Sequence, residues 1–78
     1  KHMQVINFNT ILETNKYTVE TYQTYLRTKI DNETTIKLEE ILVMQISDLN
    51  EMNENINFLI DKAKANEIIE ILKTFIKT

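Results

Sequence analysis

The 78-residue chain contains no glycine, proline, cysteine or tryptophan, and its one histidine is His2. Each absence removes a class of mechanism. Phosphate-cradling loops and dinucleotide fingerprints need the backbone freedom and close approach that only glycine supplies. Without cysteine there are no disulfides, thiolate metal sites or thiol nucleophiles, and the redox compartment is left open. Lys1-His2-Met3 reads as a cloning remnant ahead of a native start at Met3, which takes the histidine out of consideration as well. No uninterrupted apolar run reaches the roughly 18 residues of a membrane span, and the N-terminus shows no signal-peptide pattern. A cytoplasmic location is the expectation.

What is present is ordinary for a globular chain, with 42% hydrophobic and 27% charged residues. The length suits one domain. Isoleucine (12), asparagine (9) and lysine (8) are abundant, against two alanines and one arginine. Those abundant residues have A/T-rich codons, which points to a low-GC bacterium or to a phage or mobile element. Codon bias therefore accounts for the missing glycine and proline as well as architecture does. The net charge of −3 is unevenly spread. Residues 1–33 balance, residues 34–61 sum to −5 and residues 62–78 sum to +2. Phosphate binding needs clustered Lys and Arg, so nucleic acid is disfavoured as a ligand of the middle segment.

Periodicity points to an all-α fold. Leu38, Leu42, Gln45, Leu49, Met52, Ile56, Leu59 and Ala63 follow alternating steps of four and three. Glu33, Glu40, Ser47, Glu54 and Asp61 make a polar back at sevens. This predicts one long central helix over 32–64, about 50 Å long at the usual rise. Asp31 or Asn32 serves as its cap, with Glu33 in the first turn. A break within the asparagine-rich stretch Asn50 to Asn57 is the competing reading, and the unchanged seam phase favours continuity.

After Ala63 the phase shifts, and Ile68, Ile69, Ile71, Leu72, Phe75 and Ile76 predict a short return helix over 66–77 capped by Asn66. Val5, Phe8, Leu12, Asn15, Val19, Tyr22 and Leu26 give a weaker heptad and a first helix over 9–30. Residues 3–12 alternate like a strand, but no second strand is apparent to satisfy its backbone. The expected architecture is three helices packed as a helical-bundle homodimer.

No constellation carries chemistry. Glu39-Glu40 and the Glu51/Glu54 pair fall on the solvated back, and general acid–base work needs a desolvated cleft. Ser47 has no base beside it. No catalytic, cofactor or metal residues are expected. Two other groups carry more information. Tyr17, Thr21, Tyr25 and Thr28 share a helical surface and form a candidate partner-binding face, since rigid aromatics give contact area at low entropic cost. Ile41, Leu42, Val43, Met44 and Ile46, with Leu49, are apolar around more than one helical face, which marks a candidate oligomer interface.

The expected function is a non-catalytic protein–protein interaction module, a regulator or inhibitor that occludes a partner's surface. Two alternatives use charge. A nucleic-acid-associated regulator would use Lys62, Lys64, Lys73 and Lys77, and an acidic nucleic-acid mimic would use Glu40, Glu51, Glu54 and Asp61.

Overall fold

The structure is a computed structural model and describes residues 5–30, 35–50 and 54–78. Lys1-His2-Met3, the Asp31-Asn32-Glu33-Thr34 break, Glu51 and Met52 lie outside the described residues. The elements run β1 (Ile6–Glu13), β2 (Tyr17–Ile30), β3 (Thr35–Asp48), β4 (Asn55–Ile60) and α1 (Lys62–Lys77). The strands form one antiparallel sheet in the order β1-β2-β3-β4, so every neighbour in sequence is a neighbour in space.

This overturns the all-α reading and the three-helix bundle with it. The predicted first helix is the end of β1 with all of β2, and the predicted central helix is β3 and β4. The reason lies in parity. A step of four keeps a residue on the same face of a strand, and a step of three moves it to the opposite face. Within β3 the seam rests on Leu38 and Leu42, a step of four that suits a strand as well as a helix, and its step of three lands on polar Gln45; in β4 the step of three from Ile56 to Leu59 crosses from one face to the other. The chain does break within the asparagine-rich stretch, with β3 ending at Asp48 and β4 starting at Asn55. Local preference points the same way, because Tyr, Thr, Val and Ile dominate β2 and such residues fit a pleated surface better than a helix. The missing partner for residues 3–12 is β2 itself.

Register assigns the faces. β2 and β3 pair without interruption from Tyr17↔Asp48 to Ile30↔Thr35. Thr21↔Met44↔Phe58, Val19↔Ile46↔Ile56 and Gln23↔Leu42↔Ile60 lie on one face, here the Met44 face. Tyr22↔Val43↔Leu59 and Thr24↔Ile41 lie on the other, the Val43 face. The Phe8 ring stacks on Tyr22 with centroids 6.4 Å apart.

With no glycine available, other residues shape the irregular points. β1 slips register between Ile6 and Asn9 and again between Thr10 and Leu12. Asn7, with φ of 55°, takes the left-handed conformation at the first slip, and asparagine tolerates that region better than most residues. Its Nδ2 donates to Gln23 Oε1 at 2.9 Å. Such bulges on an edge strand discourage pairing with another sheet. Between β1 and β2 the Thr14 hydroxyl accepts from the Lys16 and Tyr17 amides at 3.1 and 3.0 Å and donates to Tyr17 O at 3.1 Å. After β3, Asp48 Oδ1 accepts from the Asn50 amide at 2.8 Å.

The core is small. Among the described residues the buried apolar side chains are Ile41, Val43 and Ile60, and the buried polar ones are Thr21 and Thr24. The accessible surface is 6791 Å², whereas a compact monomer of this mass exposes about 5,000 Å². The radius of gyration is 15.6 Å, against about 11.5 Å for a compact domain of this length.

Two substitutions test this account in denaturant unfolding at fixed protein concentration. Thr14→Val removes all three hydroxyl bonds and is expected to lower stability by about 1–2 kcal/mol, with Thr14→Ser near wild type. Thr24 is 8% exposed and its Oγ1 has no hydrogen-bond partner among the described residues. Thr24→Val keeps the shape, discards that hydroxyl and is expected to raise stability by about 1 kcal/mol; a loss of that size contradicts the assignment.

Candidate functional site

Helix α1 begins over the Met44 face. Asp61 is its N-cap, with Oδ1 accepting from the Lys64 amide at 2.8 Å. This corrects the predicted start, since Asn66 lies within the helix and does not cap it. Lys62 and Lys64, expected at the end of a helix, instead occupy the first turn of α1, where the helix dipole disfavours positive charge. Carboxylates offset that. Lys62 Nζ pairs with Glu40 on β3, and Lys64 Nζ lies 2.9 Å from Glu67. Hydrogen bonding to Glu40, reinforced by its charge, raises the Lys62 pKa, and Glu67 does the same for Lys64. A lysine raised in the folded state contributes its stability in full below the ordinary lysine range and loses it as pH rises through the raised value. Neither pair therefore bends the stability curve near neutral pH.

The Lys62–Glu40 pair and the helix start form one wall of a cleft of about 300 Å³ lined by Tyr25, Leu42, Ile60 and Ala65, among others. A wider cleft of about 670 Å³ opens at the far end of the same face, beside Tyr17, Ile46 and Ile56. Between them runs a largely apolar surface. Leu42, Met44 and Ile46 are half-buried on it, and Ile56 and Phe58 are exposed.

α1 leaves this surface after its first turns. Ala65 and Ile68 are half-buried, but the rest of the apolar stripe is open, with Phe75 73% and Ile76 76% exposed. Ile69 and Leu72 complete the stripe and are exposed too. A helix of this amphipathic pattern normally buries such a stripe against a core.

The structure redistributes the predicted partner-binding residues. Tyr17, Thr21 and Tyr25 stay together on the Met44 face, because steps of four preserve strand parity, while Thr28 pairs with Lys37 and falls on the Val43 face. Tyr17 and Tyr25 are each 38% exposed, and Thr21 between them is buried. The predicted oligomer-interface residues divide as well. Ile41 and Val43 are buried on the Val43 face, Leu42, Met44 and Ile46 lie on the opposite face, and Leu49 is exposed beyond β3. Sequence reasoning missed Ile56, Phe58 and Ile60 as members of one strand face; their alternation within Asn55–Ile60 is the signal that could have found them.

Charge is largely neutralised locally. Of the lysines considered for phosphate contact, Lys62, Lys64 and Lys73 each have a carboxylate within 4.0 Å. Of the acids considered for nucleic-acid mimicry, Glu40 is paired with Lys62 and Asp61 caps α1. Among the described residues no three His, Cys, Asp or Glu side chains come together as a metal site, and no helix is long and apolar enough to cross a membrane. No family model, curated protein or solved structure matches the chain.

The Lys62–Glu40 contact is an ionic link between α1 and the sheet, and it is directly testable. In an NMR titration of the Lys62 side chain, Glu40→Gln is expected to bring the raised pKa back toward the ordinary lysine value and leave Lys64 raised. A Lys62 value unchanged by the substitution refutes the contact.

Proposed function

We propose that the chain is a small non-catalytic protein–protein interaction module that works as a homodimer, a regulator or inhibitor acting by covering a partner's surface. The observation that carries this reading is apolar surface left open in two places, the Met44 face and the α1 stripe. Soluble monomers seldom expose contiguous apolar patches of this kind without a binding role. The surface in excess of a compact monomer is about 1,800 Å². A stable interface buries about 800 Å² per partner, and obligate dimers bury about 1,000–2,500 Å² per partner. The excess fits the obligate range, and a chain with so few buried side chains gains the core it lacks by association.

Tyr17 and Tyr25 are the candidate contacts with an outside protein. They stand about 26 Å apart along β2 at the strand rise per residue, at opposite ends of the apolar surface. Each combines an apolar ring with a hydroxyl, as suits the rim of a contact. Thr21 belongs beneath this surface as a buried spacer.

Light scattering is expected to give a mass near 19 kDa, twice the 9.3 kDa chain, and a monomer mass at micromolar concentration overturns the dimer. Tyr17→Ala with Tyr25→Ala is expected to leave that mass unchanged and to abolish capture of the partner retained by the wild-type chain from host extract. Capture that persists rules out the tyrosines as the contact.

A further inference from the structure

Two unpartnered apolar surfaces on one chain invite the question of what covers each. Among the described residues the α1 stripe of Ile69, Leu72, Phe75 and Ile76 is exposed, and on the sheet surface beyond the first turns of α1 Met44 is half-buried and Phe58 exposed. The part of α1 beyond Ile68, residues 69–77, spans about 14 Å, and the sheet surface between Tyr17 and Tyr25 spans about 26 Å. A segment of this length fits along that surface between the tyrosines that bracket it.

We infer that α1 is exchanged between two copies of the chain, each helix laying its apolar stripe on the Met44 face of the other copy. This rests on the dimer reading above and adds to it the element that crosses. Three features select a second copy as the occupant. First, the helix and the surface it fits are carried by the same chain, so a twofold pair satisfies both surfaces of both protomers and leaves neither over. Second, the excess surface of about 1,800 Å² per chain is larger than the roughly 800 Å² that each partner of a stable dimer buries. Third, the start of α1 is anchored at the sheet, by the Asp61 cap and the Lys62–Glu40 pair, while the residues beyond Ile68 are exposed. A helix fixed at its root and open along its stripe is in the arrangement that exchange requires, and exchange of an identical element is a low-cost route to a dimer.

The wild-type chain supplies the test. Isotope-labelled and unlabelled chains are mixed in equal amounts, unfolded, refolded together and measured by light scattering and by isotope-filtered NOE spectroscopy. A two-chain mass with NOEs from labelled Phe75 or Ile76 to unlabelled Met44 or Phe58 is the expected result. A two-chain mass in which those helix-to-sheet NOEs occur only within a labelled chain, or in which the helices meet only each other, overturns the exchange and leaves the dimer standing. A one-chain mass overturns both. As a second readout, Phe75→Asp is expected to weaken self-association at least tenfold, since it places a charge in the stripe; unchanged association refutes the stripe as the contact.

Discussion

The backbone ladder between β2 and β3 is the interaction on which everything else in this protein depends. It runs the full fourteen residues of both strands without a slip. Because antiparallel partners face the same side and neighbours face opposite sides, this one register decides where each side chain of the two central strands belongs. It places Tyr17, Thr21 and Tyr25 in line with Leu42, Met44 and Ile46, and sends Ile41 and Val43 to the other side. A slip of one residue would exchange the two faces wholesale. The edge strands are less regular. β1 carries two slips, and β4 covers only the Leu42–Ser47 part of β3.

A chain without glycine or proline must make its turns and irregularities from side chains. Thr14, Asp48 and Asp61 each lend an oxygen to a backbone amide two or three residues on, and Asn7 takes the left-handed position. These short polar side chains offer local partners to the backbone where the ladder or helix has none, which is the role they play in turns and caps generally. Loss of such a hydroxyl or carboxylate takes away the side-chain partner of those amides. Polar residues at the ends of the elements thus replace the missing turn formers, and the sheet keeps its order without them.

The fold was only partly legible in the sequence. The amphipathic stripe from Ile68 to Ile76 was readable because a helix exposed along one side shows a single apolar period, and α1 differs from the expectation mainly in starting at Lys62. The strands were not readable by periodicity, because the steps of four in the apparent heptad keep one face of a strand as well as of a helix, and the apolar run Ile41–Ile46 fills both faces of β3 at its centre. The usable signal was composition. Four threonines and three tyrosines within Tyr17–Ile30 favour a pleated strand over a helix, whatever the spacing of the larger apolar residues. The Tyr17–Tyr25 face emerged from either reading, since a spacing of four falls on one side of a strand as well as of a helix. Thr28 did not survive the change of period.

The same arithmetic explains why the protein exposes so much apolar surface. A sheet has two faces, and a chain of this length provides one short helix to cover them. The Val43 face closes over a small cluster of its own, with Val43 4% exposed and Phe8 stacked on Tyr22. The Met44 face is the more apolar and the less covered, and α1 carries the stripe that would suit it. Burial within one chain would require α1 to lie along the sheet, and the observed helix leaves its stripe beyond Ile68 exposed. Leu42, Met44 and Ile46 at half burial and Phe75 and Ile76 in the open are then two halves of one requirement. In the proposed exchange each surface meets the other on a second copy of the chain.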